Sequence, residues 1–197
     1  GVSPYDSSGG AFLHAFNDGR LKHTAGKVLV VGGGDTSMDV AAGARRLGHI
    51  EHKREHDRPE NIIMGYMAHD VAGVAQRQGA EVMLISRESS DIMPATKMEV
   101  EHVTQEGVTI KQGLLPVEVL LGEDGRARGV RVIQTEWSSG KMETVEGTET
   151  EIEFDLLVSA IGQRGDLSGF EELDSGRGLI DADGFYRVKD HPDLFVV

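Results

Sequence analysis

The 197 residues suffice for one full hydrophobic core, and at about 150 residues per domain they make one large domain or one with an insertion. Against 33 Asp+Glu stand 20 Lys+Arg, a formal net charge of -13 at pH 7 that repels nucleic acid and anionic membrane surfaces. Cysteine is absent, which excludes thiol redox chemistry, cysteine-ligated iron–sulfur clusters and disulfides within the chain.

Residues 1 to 9 read as a loop or a domain boundary. Ala11, Phe12, Leu13, Ala15 and Phe16 then have helical spacing, closed by Asn17-Asp18-Gly19, so the first 26 residues form a connector. Val28 to Val31 are four consecutive apolar residues, the mark of a strand buried on both faces, and Gly32, Gly33 and Gly34 follow in a turn too tight for side chains. Asp35 or Thr36 caps a helix running through Met38, Ala41, Ala42 and Ala44. Strand, glycine turn and helix start form the first half of a dinucleotide-binding βαβ unit. In it Gly32 permits the turn, Gly34 lets the backbone approach a pyrophosphate, and the helix N-terminus offers N–H groups and partial positive charge. The third position of the G-x-G-x-x-G pattern is Ser37, small enough for close helix–strand packing. Gly32, Gly33, Gly34, Asp35, Thr36 and Ser37 are therefore candidate cofactor-binding residues; the competing reading is a glycine turn that binds nothing.

The second strand of such a unit is delayed until Glu81-Val82-Met83-Leu84-Ile85-Ser86, and about 30 residues are inserted beyond the usual spacing. The insert, about 49–78, begins polar and turns helical and half apolar from Ile62 to Gln78, with Gly79 as cap. A loop from Arg87 to Pro94 leads to a helix from Thr96 to Gln105, ended by Gly107, and to a short strand, Val108 to Lys111. Val117–Leu121, Ala127–Glu136 and Thr148–Phe154 have strand composition and are separated by strong turn signals, so an antiparallel meander follows. Leu156 to Ile161 is a further buried parallel strand, ending at Gly162. The tail has a hairpin-like turn at Asp181-Ala182-Asp183-Gly184 and closes on the apolar Leu194-Phe195-Val196-Val197, read as a strand cut out of a longer protein. The expected fold is a Rossmann-like, three-layer α/β domain: a central parallel sheet covered by helices, an attached antiparallel meander, and a nucleotide crossing the C-terminal ends of the strands.

Four phrases occur in order: GKVLVVGGGDTSMDV (26–40), EVMLISRESSDIMPA (81–95), EGVTIKQGLLPVEV (106–119) and DLLVSAIGQRGD (155–166), with HPDLFVV closing the chain. Together they resemble the NAD(P)H-binding domain of flavoproteins grouped with the small subunit of glutamate synthase, in the pyridine nucleotide–disulfide oxidoreductase superfamily. The resemblance covers nearly the whole chain outside the insert; Gly165, where the family commonly has proline, departs from it. It implies a nucleotide domain inserted in an FAD-binding domain: 1–26 as the connector, 27–190 as the NAD(P)H-binding domain, 191–197 as the start of the return. It further implies that NADPH is positioned for hydride transfer to an FAD that this segment does not bind alone, and that electrons pass on to an iron–sulfur or catalytic subunit. The expected partners are the FAD-binding domain of the same polypeptide and such a subunit, without nucleic acid or membrane. No apolar run reaches about 18 residues and no signal-peptide pattern occurs, so a soluble, cytoplasmic segment is expected. The alternative is a free-standing nucleotide-sensing or interaction module without catalysis.

The choice of nucleotide rests on Ser86-Arg87-Glu88. At this strand end a carboxylate accepts hydrogen bonds from a free ribose 2′-hydroxyl, whereas arginine accommodates a 2′-phosphate. Arg87, at the first loop position, is read as the inward residue with Ser86 adding a hydrogen bond, which favours NADP over NAD; an inward Glu88 would favour NAD, and Arg87 pairing with Glu88 or Asp91 is the bland alternative. Gly162 and Gln163 are the second candidate cofactor-binding stretch, because a residue without a side chain at a strand end lets a ring or ribose lie on the backbone. Met93-Pro94-Ala95 either lies beside the nucleotide or packs on the core. His49, His52 and His56 could share a metal, and Glu99 and Glu101 invite a catalytic reading, but both groups sit among charged residues and are expected to be solvated. No catalytic residue and no metal ligand is assigned.

Overall fold

The computed structural model describes residues 6–49, 58–64, 79–162, 166–176 and 178–196. The chain divides into two compact units, Gly1–Ile161 and Gly162–Val197. In the first, the elements are β1 (Asp6–Ser8), α1 (Gly9–Asn17), β2 (Lys27–Val31), α2 (Asp35–Leu47), α3 (Pro59–Ile63), β3 (Glu81–Ser86), α4 (Lys97–Gln105), β4 (Thr109–Gln112), β5 (Leu114–Leu121), β6 (Ala127–Ser138), β7 (Lys141–Thr144), β8 (Thr150–Glu153) and β9 (Leu156–Ser159).

Five strands form a parallel sheet in the order β1-β9-β2-β3-β4. The glycine-turn strand β2 is central, with Val31 opposite Ile85 of β3 on one side and Ser159 of β9 on the other. Its alternate residues feed two cores, because successive side chains leave a strand on opposite faces. Val28 and Val30 pack with Met38, Val40, Ala41 and Ala44 of α2 and with Phe12 of α1, while Leu29 and Val31 pack with Val130 and Val132 of β6 and with Phe154. Each fully buried Val or Leu contributes about 1.5–3 kcal/mol, which explains why an unbroken apolar run occupies the centre.

The meander therefore covers one face of the sheet and the helices the other. Its third strand is split: β7 pairs with Thr135–Ser138 and β8 with Gly129–Val132, both on the same edge of β6. Thr150–Glu153 was anticipated as part of Thr148–Phe154, whereas β7 was not. Two further differences concern the parallel sheet. Asp6–Ser8, expected as loop, is a strand pairing in parallel with β9, and β9 stops at Ser159, leaving Ile161 exposed.

Local signals account for the helices. Thr96 caps α4 in a reciprocal capping box with Glu99, whose carboxylate accepts from the Thr96 hydroxyl at 3.1 Å; Glu99 thus has a structural task. Arg45 near the end of α2 donates to the carbonyls of Glu106 and Ala80, both at 2.9 Å, tying the helix to the end of α4 and the start of β3. In the insert, α3 (Pro59–Ile63) starts ahead of the helix expected from Ile62, with Ile62 and Ile63 buried; 65–78, and with them most of that expectation, lie outside the described residues.

The second unit holds a short 3-10 turn at Glu171–Leu173 and an antiparallel pair, β10 (Arg187–Val188) and β11 (His191–Phe195). The expected turn is present: Asp183 accepts the backbone N–H groups of Phe185 and Arg187, which holds its carboxyl below the usual aspartate range. Leu194 and Phe195, expected in a buried-type strand, are exposed in this unit.

Candidate functional site

The centre of the site is the turn from β2 into α2. Gly32 has a φ of +151°, and a Cβ there would lie 2.5 Å from the Ala160 carbonyl oxygen and 3.1 Å from Ser37 Cβ. Glycine at this position is what allows the turn, β9 and α2 to touch. Ser37 is fully buried at that contact and donates its hydroxyl to the Gly34 carbonyl, so it packs helix on strand as its size suggests.

Gly34 is different. It is the N-cap of α2 in an extended conformation (φ −102°, ψ 176°), no side chain caps the helix, and nothing lies within 4 Å of a Cβ built on it. The cap expected from Asp35 or Thr36 is not made: both belong to the first turn and are exposed. The first N–H groups of a helix have no partners within it, and the macrodipole adds partial positive charge. These residues fit a pyrophosphate: open space over a glycine, uncapped donors, and a central strand from which the chain turns to β3 on one side while β9 lies on the other, the switch point where α/β sheets take ligands.

The end of β3 forms one wall. Ser86 is buried and its hydroxyl donates to Glu88 Oε2 at 2.7 Å, while the Glu88 N–H donates back to Ser86 Oγ at 3.1 Å. A Cβ on Gly33 would lie 2.6 Å from Ser86 Oγ and 2.9 Å from Glu88 Oε2, so the carboxylate rests against the glycine loop. The Glu88 side chain is 13% exposed; that of Arg87 is 56% exposed and donates Nε to Glu88 Oε1 at 2.8 Å. The structure thus reverses the orientation expected for this pair: Glu88 faces the loop, and Arg87 braces it from the solvent side. Burial opposes the Glu88 charge, but hydrogen bonds from Arg87, Ser86 and its own N–H outweigh it and hold the carboxyl below the usual glutamate range.

The orientation is set from afar. Thr135 Oγ1 and Trp137 Nε1 at the end of β6 donate to the Arg87 carbonyl at 2.7 and 2.9 Å, and the Gly113 N–H donates to the Glu88 carbonyl at 3.3 Å. None of these residues was singled out from sequence, and no local pattern marks them. The loop then returns to the glycines, with the Ala95 N–H donating to the Gly33 carbonyl at 2.9 Å and Met93 and Ala95 buried. Met93 and Ala95 therefore pack on the core, one of the two readings considered for this segment, and they do so beside the glycine loop.

Gly162 has a φ of +108° and is exposed with nothing within 4 Å of a Cβ, while Gln163 lies outside the described residues. His52 and His56 also lie outside them, and among the described residues no three His, Asp or Glu side chains form a metal-binding group. No described helix is long and apolar enough to cross a membrane.

Over 164 residues, 80% of the chain, identity is 32% to the NADPH-Fe(3+) oxidoreductase subunit beta of Geobacter sulfurreducens, of which 20% is covered. Over 193 residues, 93% of the chain, it is 31% to the NADP(+)-dependent formate dehydrogenase subunit beta of Moorella thermoacetica, of which 23% is covered. The glutamate synthase (NADPH) small chain of Escherichia coli is 26% identical over 70% of the chain and 24% of its own length. The chain thus spans about a fifth to a quarter of these relatives. Among solved structures, Mycobacterium tuberculosis FprA in complex with NADPH superposes with a TM-score of 0.61 at 15% identity, over 97% of this chain and 52% of that one. Lactococcus lactis thioredoxin reductase does so at 0.58 and 17%, over 97% and 48%, and both show the fold. All of residues 1–197 match the family described as pyridine nucleotide-disulphide oxidoreductase, and the chain belongs to that family.

Proposed function

We propose that this chain is the NAD(P)H-binding domain of a flavin-dependent oxidoreductase similar to the glutamate synthase small subunit, and that it orients the nicotinamide for hydride transfer to an FAD held elsewhere in the longer protein. The observation that carries this reading is the cradle at Gly34, where an uncapped α2 N-terminus and open space face the switch point of the sheet. When bound, NAD(P)H supplies the hydride and the flavin accepts it. The chain's own part is to bind and orient: Gly32 closes the turn, Gly34 and the α2 N–H groups take the pyrophosphate, Asp35 and Thr36 flank it in the first turn, and Ser86, Arg87 and Glu88 border the adenosine ribose. Gly162 and Gln163 complete the assignment on the nicotinamide side.

The domain limits belong to the same proposal: 1–26 as the connector, 27–190 as the nucleotide domain and 191–197 as the return to an FAD-binding domain in a cytoplasmic protein. The partners are that domain and an iron–sulfur or catalytic subunit. Names of relatives that carry NADPH or NADP(+) support the phosphorylated nucleotide expected from Arg87; the inward Glu88 speaks against it. Titration of the purified protein with NADH, NADPH, NAD+ and NADP+, followed by calorimetry, tests the reading. Micromolar to low-millimolar binding of at least one is expected, and absence of binding by all four overturns it.

A further inference from the structure

We propose that Glu88 reads the adenosine ribose and makes the site select NADH over NADPH. The inference rests on the nucleotide-domain reading above and goes against the Arg87 assignment. Three features of the β3 end carry it.

First, the group presented to the glycine loop is a carboxylate: Glu88 Oε2 lies 2.9 Å from the position of a Cβ on Gly33, whereas the Arg87 side chain is on the solvent side. A carboxylate there accepts hydrogen bonds from the vicinal ribose hydroxyls and repels a 2′-phosphate. Second, the Ser86 hydroxyl and Arg87 Nε are turned to the carboxylate and away from the ribose. The Ser86 hydroxyl donates to Glu88 Oε2 and accepts from the Glu88 N–H, and Arg87 Nε donates to Glu88 Oε1. Third, exchange of the two side chains is opposed by the backbone. The Arg87 carbonyl is held by Thr135 and Trp137 and the Glu88 carbonyl by the Gly113 N–H, which fixes the direction in which each Cβ leaves the chain. The carboxyl is also held ionised by its donors, so both the attraction for hydroxyls and the repulsion of phosphate operate at neutral pH.

The test is a titration of the full-length protein and its variants with NADH and NADPH, with competition by 5′-AMP and 2′,5′-ADP as a measurement independent of any substitution. NADH is expected to bind roughly tenfold or more tightly than NADPH, and 5′-AMP to compete better than 2′,5′-ADP. Glu88→Gln, close in shape, removes most of the discrimination, and Glu88→Arg reverses it. Arg87→Ala leaves NADH preferred. Equal or tighter binding of NADPH by the unmodified protein overturns the inference while leaving the nucleotide-domain reading in place. Failure of both nucleotides to bind overturns the two together, and loss of NADPH binding in Arg87→Ala restores Arg87 as the reader.

Discussion

Alanine at Gly32 and at Gly34 separates folding from binding within one turn. At Gly32 the new Cβ enters a backbone conformation that L-residues rarely adopt, φ +151°, which costs about 1–3 kcal/mol. It also meets the Ala160 carbonyl oxygen at 2.5 Å, and because that atom is backbone, relief requires the end of β9 to move from β2. Such a movement strains the hydrogen bond from the Ala160 N–H to the Val31 carbonyl, 2.8 Å long, worth about 1 kcal/mol. Gly32→Ala is thus expected to lose about 2–4 kcal/mol of stability. At Gly34 the φ of −102° is allowed to alanine and the space is open, so the loss is that of a poorer N-cap, under about 1 kcal/mol. The Cβ does, however, fill the approach to the α2 N–H groups, and nucleotide affinity should fall by roughly tenfold or more. Urea unfolding followed by circular dichroism gives the first quantity and calorimetric titration the second. Gly32→Ala with an unchanged unfolding midpoint, or Gly34→Ala as destabilising as Gly32→Ala, would refute the division of roles.

Three further outcomes are expected. Thr96→Ala removes the capping box of α4 and should cost about 1 kcal/mol in urea unfolding without altering nucleotide affinity; an affinity loss would reopen a direct role for Thr96 or Glu99. Glu88 has a folded pKa below its ordinary value of about 4.3, so its stabilising contribution is complete above that value and is lost as pH falls through the lower folded value. The stability difference between the unmodified protein and Glu88→Gln should therefore shrink as pH falls below about 4.3, and a constant difference would rule the cluster out as its source. Gly162→Val places a β-branched residue at φ +108°, a strain of about 1–3 kcal/mol, and should weaken nucleotide binding in a folded protein; unchanged affinity would assign the glycine to the turn alone.

What the amino-acid sequence determined by itself is the part governed by short-range physics. An apolar run such as Val28–Val31 needs burial on both faces wherever it lies, three glycines permit one kind of turn, and Thr96 with Glu99 starts a helix without help from the rest of the chain. The glycine cradle, the parallel strands and the family were legible for that reason. What only the tertiary structure decided is the part set by partners distant in sequence. Asp6–Ser8 carries no apolar signal and becomes a strand because the edge of β9 offers unpaired backbone groups, and β7 exists because β6 extends far enough to pair with it. The orientation of Arg87 and Glu88 is of the same kind. Adjacent residues on a strand end point opposite ways, and which of them faces the glycine loop is decided by Thr135 and Trp137, 48 and 50 residues further on, holding one carbonyl in place.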